Sequence, residues 1–548
     1  MKIIKFAVTY VLKKKKYAIP FCLISVVVML LSIFNPYLVG NIINILTNNQ
    51  DLKELYGGII LLTVVWGMYV FLEYINRTLL TKIRLDSVYL ITKDIIHCLQ
   101  KASLLKVNQA NPMYLNQQIN HDAASCINYT INIFTQFMLN SISLFITLSI
   151  MISISFKITL ILIVIAIIYY VLYLSVKNVL MIRAKEQKTE QSSFFAQVGE
   201  QLQYIKFIKI HSLMNFFEKR LEKSYQSYRA ISVNFKTILY GLSFLDEAIK
   251  CIANIILFVI GGREVIVGEL SIGMFIVLSS YFPKIISLFS CYLQLGEFYQ
   301  ETLVSFNRIE ELLLWGEESD GAYIPNHIEK ICLKNLSFNY KEKRVFSHIN
   351  YTFQKGVTYA LVGSNGTGKS TLIQIILGLL TDSITTGDVI INTKSIKECN
   401  MYFLRKKYFE VVEQESPILN DTIKTNIYFD RLKHNNIESE IFDMLNLTQY
   451  LKMQKQGIET IITPNNISGG EKQKINIARS LLCEKEVLIF DEPNSALDGL
   501  TTKSFIDYIE SIKENKIIII ISHDLNVINS CDQILKLADY KISTDRIR

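Results

Sequence analysis

The chain has 548 residues, 57 of them Lys or Arg against 49 Asp or Glu, giving a net charge of +8; half are hydrophobic and 19% charged. That balance excludes a disordered chain and a wholly soluble enzyme, and 23 Gly with 8 Pro exclude collagen-like or low-complexity design. The nine cysteines, at positions 22, 98, 126, 251, 291, 332, 399, 483 and 531, form no CxxC pair or tight cluster. They read as small apolar side chains in a reducing setting, not as a disulfide or zinc framework.

The first sixteen residues carry lysines at 2, 5, 13, 14, 15 and 16 around the short apolar stretch Phe6–Leu12. No small-residue cleavage site follows, and the next apolar run is too long for a secretory signal. Residues 1–16 therefore read as an amphipathic helix on the inner membrane face, leading into a retained span. Six apolar runs follow, near 17–40, 55–78, 132–155, 158–181, 239–262 and 272–295. About 20 apolar residues are what a hydrocarbon core of about 30 Å asks of a helix. Six lysines precede the first run, whereas Asn41–Glu54 holds only Lys53, the third loop only Lys157, and Arg263–Leu270 only Arg263. Positive charge collects on the cytoplasmic side, so both ends of this region are expected inside. The inside stretches 79–131 and 182–238 are polar and rich in helix formers, which predicts helical stalks running past the membrane.

The expected transmembrane domain is 1–311. Residues 312–328, with Trp315, Gly316, Glu317, Glu318, Ser319, Asp320, Gly321 and Pro325, read as a linker. From 329 to 548 short β-branched strands alternate with helical stretches, the pattern of an α/β domain with a largely parallel sheet.

After the apolar strand Thr358–Val362 comes Gly363-Ser-Asn-Gly-Thr-Gly-Lys-Ser-Thr371 and then helix-like Leu372–Leu380. This is a strand, P-loop, helix arrangement. Gly363, Ser364, Asn365, Gly366, Thr367 and Gly368 let backbone N–H groups close around phosphate oxygens, with a helix N-terminus behind them. Lys369 is expected to reach the β and γ phosphates and Ser370, followed by Thr371, to ligate Mg²⁺. A second apolar strand, Val487–Phe490, ends in two carboxylates. Asp491 is suited to hold the metal and Glu492 to polarise the attacking water in phosphoryl transfer. Between the two motifs, Ser468, Gly469 and Gly470 offer further donors ahead of the apparent helix Ile475–Leu482. One P-loop needs no second cradle, so the surplus implies a partner chain.

Asn466-Ile-Ser-Gly-Gly-Glu-Lys-Gln473 resembles the signature of ATP-binding cassette (ABC) transporters, with Ile467 for the usual Leu and Glu471 for the usual Gln. The resemblance covers essentially all of 329–548. It implies that Tyr340, in Phe338-Asn-Tyr340, stacks on adenine. Gln414 would touch Mg²⁺ and the attacking water, Asp498 of Ser495-Ala-Leu-Asp498 would lie at a dimer interface, and His523 would contact the γ-phosphate. Alone, Tyr340, Gln414 and His523 each read as structural; their joint order and spacing carry the match. Two departures stand out. Thr460–Asn466 lacks the acidic and Gly pattern usual before the signature, and Asp524 replaces the usual Arg.

The first half is similar to exporter-type ABC membrane domains, in Gly261–Gly273 and Asn307–Leu312, and the same likeness places coupling helices near Met113–Asp122 and Lys209–Phe217. The expected fold is thus an α-helical six-span transmembrane domain followed by an α/β P-loop nucleotide-binding domain of ABC type. Polar side chains in a span face protein or water. Gln136, Asn140, Ser143 and Thr147 recur at helical spacing in the third span, and Ser280, Lys284, Ser287, Cys291 and Gln294 in the sixth. Gln136, Asn140, Lys284 and Ser287 are the candidate lining of a substrate cavity; packing of helices through small polar residues is the other reading. Lys284 at bilayer depth costs about 2.5–3.5 kcal/mol, which water or an acidic partner such as Asp246 or Glu247 would offset.

The resemblance implies an ATP- and Mg²⁺-dependent exporter of the bacterial cytoplasmic membrane, working as a pair of chains, homodimer or heterodimer, with the cassette in the cytoplasm. Its cargo is expected to be a bacteriocin-like or modified peptide, with its leader removed elsewhere or absent. The alternatives are a multidrug or lipid exporter, or a nucleotide-gated channel on the same scaffold. A nucleic-acid partner is not expected, because six spans exclude a soluble cassette ATPase.

Overall fold

A computed structural model of the chain describes residues 2–49, 52–109, 112–315, 321–340, 343–381, 384–429, 435–538 and 540–546. It divides into two compact units, 1–97 with 111–314, and 98–110 with 315–548.

The first unit is helical. Lys2–Leu12 buries Ile3, Ala7 and Tyr10, one face at helical spacing, and is pinned by Tyr10 Oη donating to Asp94 Oδ2 (3.0 Å). Lys14 pairs with Asp86 at 3.1 Å. Each of the six apolar runs lies on a helix: Lys15–Asn44, Leu52–Lys101, the continuous stretch Ile119–Ile154, Phe156–Gln203, Met214–Val267 and Ile272–Leu313. Among the described residues, the first three are long and apolar enough to cross a membrane, and Phe156–Leu172 and Ile272–Ile285 are shorter apolar helices. The fifth run carries Asp246, Glu247 and Lys250, which pair with one another on a single helix face at 2.8 and 2.9 Å. Lys15–Asn44 and Ile272–Leu313 cross closely where Asn44 Oδ1 accepts from the Gly273 N–H (2.8 Å), and Tyr281 Oη donates to the Ile33 carbonyl (2.6 Å). Further along, Asp122 is buried and accepts from Ser305 Oγ at 2.7 Å, which ties Pro112–Asn132 to the same long helix.

The short helices between the long ones differ in position from the segments named above. The short helix between the second and third long helices is Leu104–Gln109, not Met113–Asp122, which lies within the continuous helix Pro112–Asn132. Pro112 opens that helix, a position where its missing N–H and fixed φ are tolerated. The second short helix is Ile205–Ile210, ending in the turn at Ser212 (φ 52°), and Met214 already begins the next long helix.

In the second unit the main sheet has six strands in the order Lys541–Arg546, Gln533–Ala538, Val357–Val362, Ile517–Ile521, Val487–Asp491, Phe409–Val412. All pairings are parallel except that of the first two. Ile517, Ile519 and Ile521 enter one hydrophobic core, Ile518 and Ile520 the other. A central parallel strand is covered on both faces, which is why an unbroken isoleucine run sits there. A four-stranded antiparallel sheet, ordered Lys343–Gln354, Lys330–Tyr340, Ile384–Ile391, Lys394–Ser395, packs beside it. Leu105 packs against the first of these cores. Part of the expected linker is built in as well, since Tyr323 bridges Cys399 and the Gly321 N–H donates to the Cys399 carbonyl at 3.0 Å.

Candidate functional site

Register assembles the site. Ile521 pairs with both Leu361 and Asp491, and Val412 with Phe490, so four parallel strands end at one level. The P-loop follows Val362, Glu492 follows Asp491, and Gln414 and His523 each come two residues past their strand ends. Catalytic groups on loops at the carboxyl ends of a parallel sheet are held by the stiffest part of the domain.

Gly368 has φ +101°, and a Cβ there would lie 2.4 Å from Val345, so only glycine closes this loop. Lys369 opens the helix Lys369–Ile376, and its Nζ donates to the Gly363 and Ser364 carbonyls (2.7 and 3.2 Å), folded back over the loop. Ser364, Asn365 and Gly366 are exposed at its tip, and Thr367 Oγ1 donates to the Ser364 carbonyl at 2.9 Å. Thr371 lies in the first turn of that helix. Tyr340 is half-exposed and stands edge-on to Phe338 (5.0 Å), which in turn contacts Phe346, the ring that flanks Gly368.

Ser370 Oγ donates to Asp491 Oδ2 at 3.3 Å. Burial pushes the Asp491 carboxyl above its ordinary value; the Ser370 hydrogen bond opposes this and the neighbouring Glu492 charge adds to it. A desolvated carboxylate facing a hydroxyl fits a divalent cation, whose charge would relieve that penalty. Such a cation would be held by Ser370, Asp491 and Gln414.

Glu492 sits in a left-handed backbone conformation (φ 51°), fixed by its N–H donating to the Ile521 carbonyl at 2.9 Å. For a residue other than Gly, Asn or Asp this is strained, and strain of this kind clusters at functional sites. One carboxylate oxygen accepts from Gln414 Nε2 (2.9 Å); the other lies 3.7 Å from His523 Nε2. The three side chains thus converge on one carboxylate.

Ser468, Gly469, Gly470 and Glu471 form the N-terminus of Gly469–Leu481, closed by a capping box. A Cβ on Gly470 would lie 2.8 Å from the Ala496 carbonyl oxygen, so this turn packs directly on the loop before Asp498. Asp498 caps Gly499–Ile512, accepting from Thr501 N and Oγ1 (both 2.9 Å), and these bonds hold its carboxyl below the ordinary value.

The membrane candidates separate. Gln136 is exposed in a π-helical turn, Ile133–Leu139, and accepts from Asn140 Nδ2 at 3.1 Å. Ser143 and Thr147, from the same stripe, are buried between helices, as the packing reading requires. Among the described residues, Lys284 Nζ donates to Ser32 Oγ (3.2 Å) and the Ser32 carbonyl (3.4 Å), while Lys250 pairs with Asp246 and Glu247. An i,i+4 or i,i+3 neighbour on the same helix reaches the carboxylates without crossing between helices. The side chains of Ser287, Cys291 and Gln294 lie outside the described residues.

Sequence reading missed the lock behind the site. Asp524 accepts from Asn494 Nδ2 (2.9 Å) and from the Asn526 N–H (2.8 Å), while Ser522 Oγ donates to Asn494 Oδ1 (3.2 Å). The residue that departs from the usual Arg therefore joins the His523 loop to the loop after Glu492. The departure itself was the signal.

Two family models match this chain: ABC transporter over 346–495, and ABC transporter transmembrane region over 19–288. The chain belongs to the ABC transporter family. It is 25% identical over 370 residues to the ATP-dependent lipid A-core flippase of Vibrio vulnificus strain YJ016, covering 65% of this chain and 62% of that one. To the Lactococcin-G-processing and transport ATP-binding protein of Lactococcus lactis subsp. lactis it is 28% identical over 382 residues, 67% of this chain and 53% of that one. The chain matches less than two thirds of the length of these curated relatives. A solved bacterial Atm1-family ABC exporter with ATP bound has the same fold, with a TM-score of 0.79 at 18% identity over 97% of this chain and 95% of that one. The fold is a helical transmembrane domain followed by an ABC nucleotide-binding domain.

Proposed function

We propose that this protein is an ATP-driven exporter: two copies of the chain bind ATP with Mg²⁺ between their cassettes, and closure and hydrolysis drive a membrane cavity from inward to outward access. Domain bounds of 1–311, 312–328 and 329–548, and a bacterial cytoplasmic membrane with the cassette inside, belong to this reading. The observation that carries it is Glu492 hydrogen-bonded to Gln414 and 3.7 Å from His523, beside Asp491 and the P-loop Ser370, in a chain whose other half is long apolar helices.

Each residue has a task in this scheme. Gly363–Gly368 amides, Lys369 and Thr371 hold the phosphates, Tyr340 the adenine, and Ser370, Asp491 and Gln414 the cation, which neutralises phosphate charge. Glu492 orients the attacking water and takes its proton, and His523 holds the γ-phosphate. Ser468, Gly469, Gly470, Glu471 and Asp498 meet the partner's nucleotide. The tips around Leu104–Gln109 and Ile205–Ile210 carry the motion. For the cargo we infer an amphiphile, a bacteriocin-like peptide first. The lactococcin-G relative supports a peptide and the flippase relatives support a lipid. Gln136, Asn140, Lys284 and Ser287 would line its path.

The test is phosphate release from the full chain in liposomes, wild type against Glu492→Gln. The variant is expected to bind ATP normally and lose at least 99% of turnover, roughly the hundredfold or more that an oriented base contributes. Normal release from Glu492→Gln would refute the assignment. Screening peptides, lipids and drugs for stimulation of the wild-type rate then separates the two cargo classes.

A further inference from the structure

Glu471 stands third in the signature helix, and one oxygen of its carboxylate does two things. Oε2 accepts from the Ser468 N–H at 3.0 Å and from the Ser468 hydroxyl at 2.6 Å, while Ser468 Oγ accepts from the Glu471 N–H. A hydroxyl has one proton to donate. Here that proton is committed to the carboxylate, at a length typical of a strong charge-assisted bond. The same hydroxyl is among the groups that the proposed function sets against the partner's nucleotide, where it would donate to a phosphate oxygen. An anion accepting from it at about 2.8 Å would sit no more than about 5.4 Å from Oε2, given the 2.6 Å between Ser468 Oγ and Oε2. At that range two negative charges repel appreciably even in water-like surroundings.

The geometry points to Glu471 as a positioning residue that sets the threshold for nucleotide-driven closure. In the open cassette it holds the Ser468 proton. On closure Ser468 must turn its O–H from Glu471 to the phosphate, and the carboxylate is left facing that phosphate. Closure is thereby made less favourable and reopening faster than with a neutral residue at 471. A glutamine keeps the box, since its amide oxygen accepts the same two bonds, but removes the charge. The cap and the charge are therefore separable.

This rests on the nucleotide-sandwich reading, and the experiment distinguishes the two. The full chain in nanodiscs, in a Glu492→Gln background that prevents turnover, carries spin labels on the two cassettes, and ATP is titrated at low and high KCl with residue 471 as Glu or as Gln. The half-closing ATP concentration is expected to fall roughly three- to tenfold with Glu471→Gln at low salt, and the ratio to shrink towards one at high salt, because exposed charges are screened. No ATP-dependent closure in either protein overturns the sandwich itself. Closure with a ratio of one at low salt, or with a ratio that salt does not change, leaves the sandwich standing and overturns the role of Glu471.

Discussion

Asp532 fixes the start of the P-loop strand. Its Oδ2 accepts from Thr358 N and Oγ1 (2.8 and 2.9 Å) and its Oδ1 from Lys513 Nζ (2.9 Å). Burial raises its carboxyl, but the Thr358 N–H, Lys513 and the Thr358 hydroxyl outweigh burial and hold it below the ordinary value. A depressed carboxyl stabilises the fold above its unfolded value, and the gain is lost as pH falls through the folded value. Asp532→Asn is therefore expected to cost about 1–2 kcal/mol at neutral pH, discounted for partial exposure. The Tm gap between wild type and variant should close on acidification; a gap of the same size at pH 7 and pH 3 would contradict this. Nothing in the sequence singles out Asp532, because its partners lie on other segments. Asp491 and Glu492 were legible as paired carboxylates at the end of an apolar strand, whereas Gln414 and His523 came only with the family resemblance in order and spacing. Their mutual hydrogen bonds were not legible, since these depend on strand register. Ser32 as the partner of Lys284 was equally hidden, being a contact between helices distant in sequence.

Elements were read best where periodicity is strong. The buried isoleucine strand and the six apolar helices follow from hydrophobic pattern alone. The short helices Leu104–Gln109 and Ile205–Ile210 could not be read from pattern, since six residues span fewer than two turns and carry no period. Stripes also mislead: Gln136, Asn140, Ser143 and Thr147 share a spacing, yet two of them are buried packing residues. At this scale the signature helix makes a sharp prediction. Gly470→Ala would force a Cβ to within 2.8 Å of the Ala496 carbonyl, a backbone atom that cannot rotate away. Overpacking of this kind costs about 1–3 kcal/mol, and relief comes from displacing either the signature turn or the loop leading to Asp498. The ATPase rate is expected to fall at least tenfold while the membrane helices stay folded; a wild-type rate would show that the contact is dispensable.

Across the whole molecule, the proposed exporter needs both a cargo path and a paired cassette. Lys284 is half-buried in the sixth helix and engages Ser32 of the first, the two helices that also cross at Asn44 and Gly273. Lys284→Leu is expected to leave basal ATP hydrolysis within about twofold and to change its stimulation by cargo severalfold. An unchanged response to a verified cargo would return Lys284 to a packing role. Ile205, Phe207 and Ile210 expose apolar surface on the short helix Ile205–Ile210.

The most direct test of that arrangement is a count of copies. With Glu492→Gln, ATP and Mg²⁺ in lipid nanodiscs, the protein should be trapped as a pair with each P-loop within cross-linking distance of the other chain's Ser468–Gly470 turn. A single-copy particle that binds ATP, or a pair in which cysteines at Ser364 and Gly469 never cross-link between chains, would contradict it.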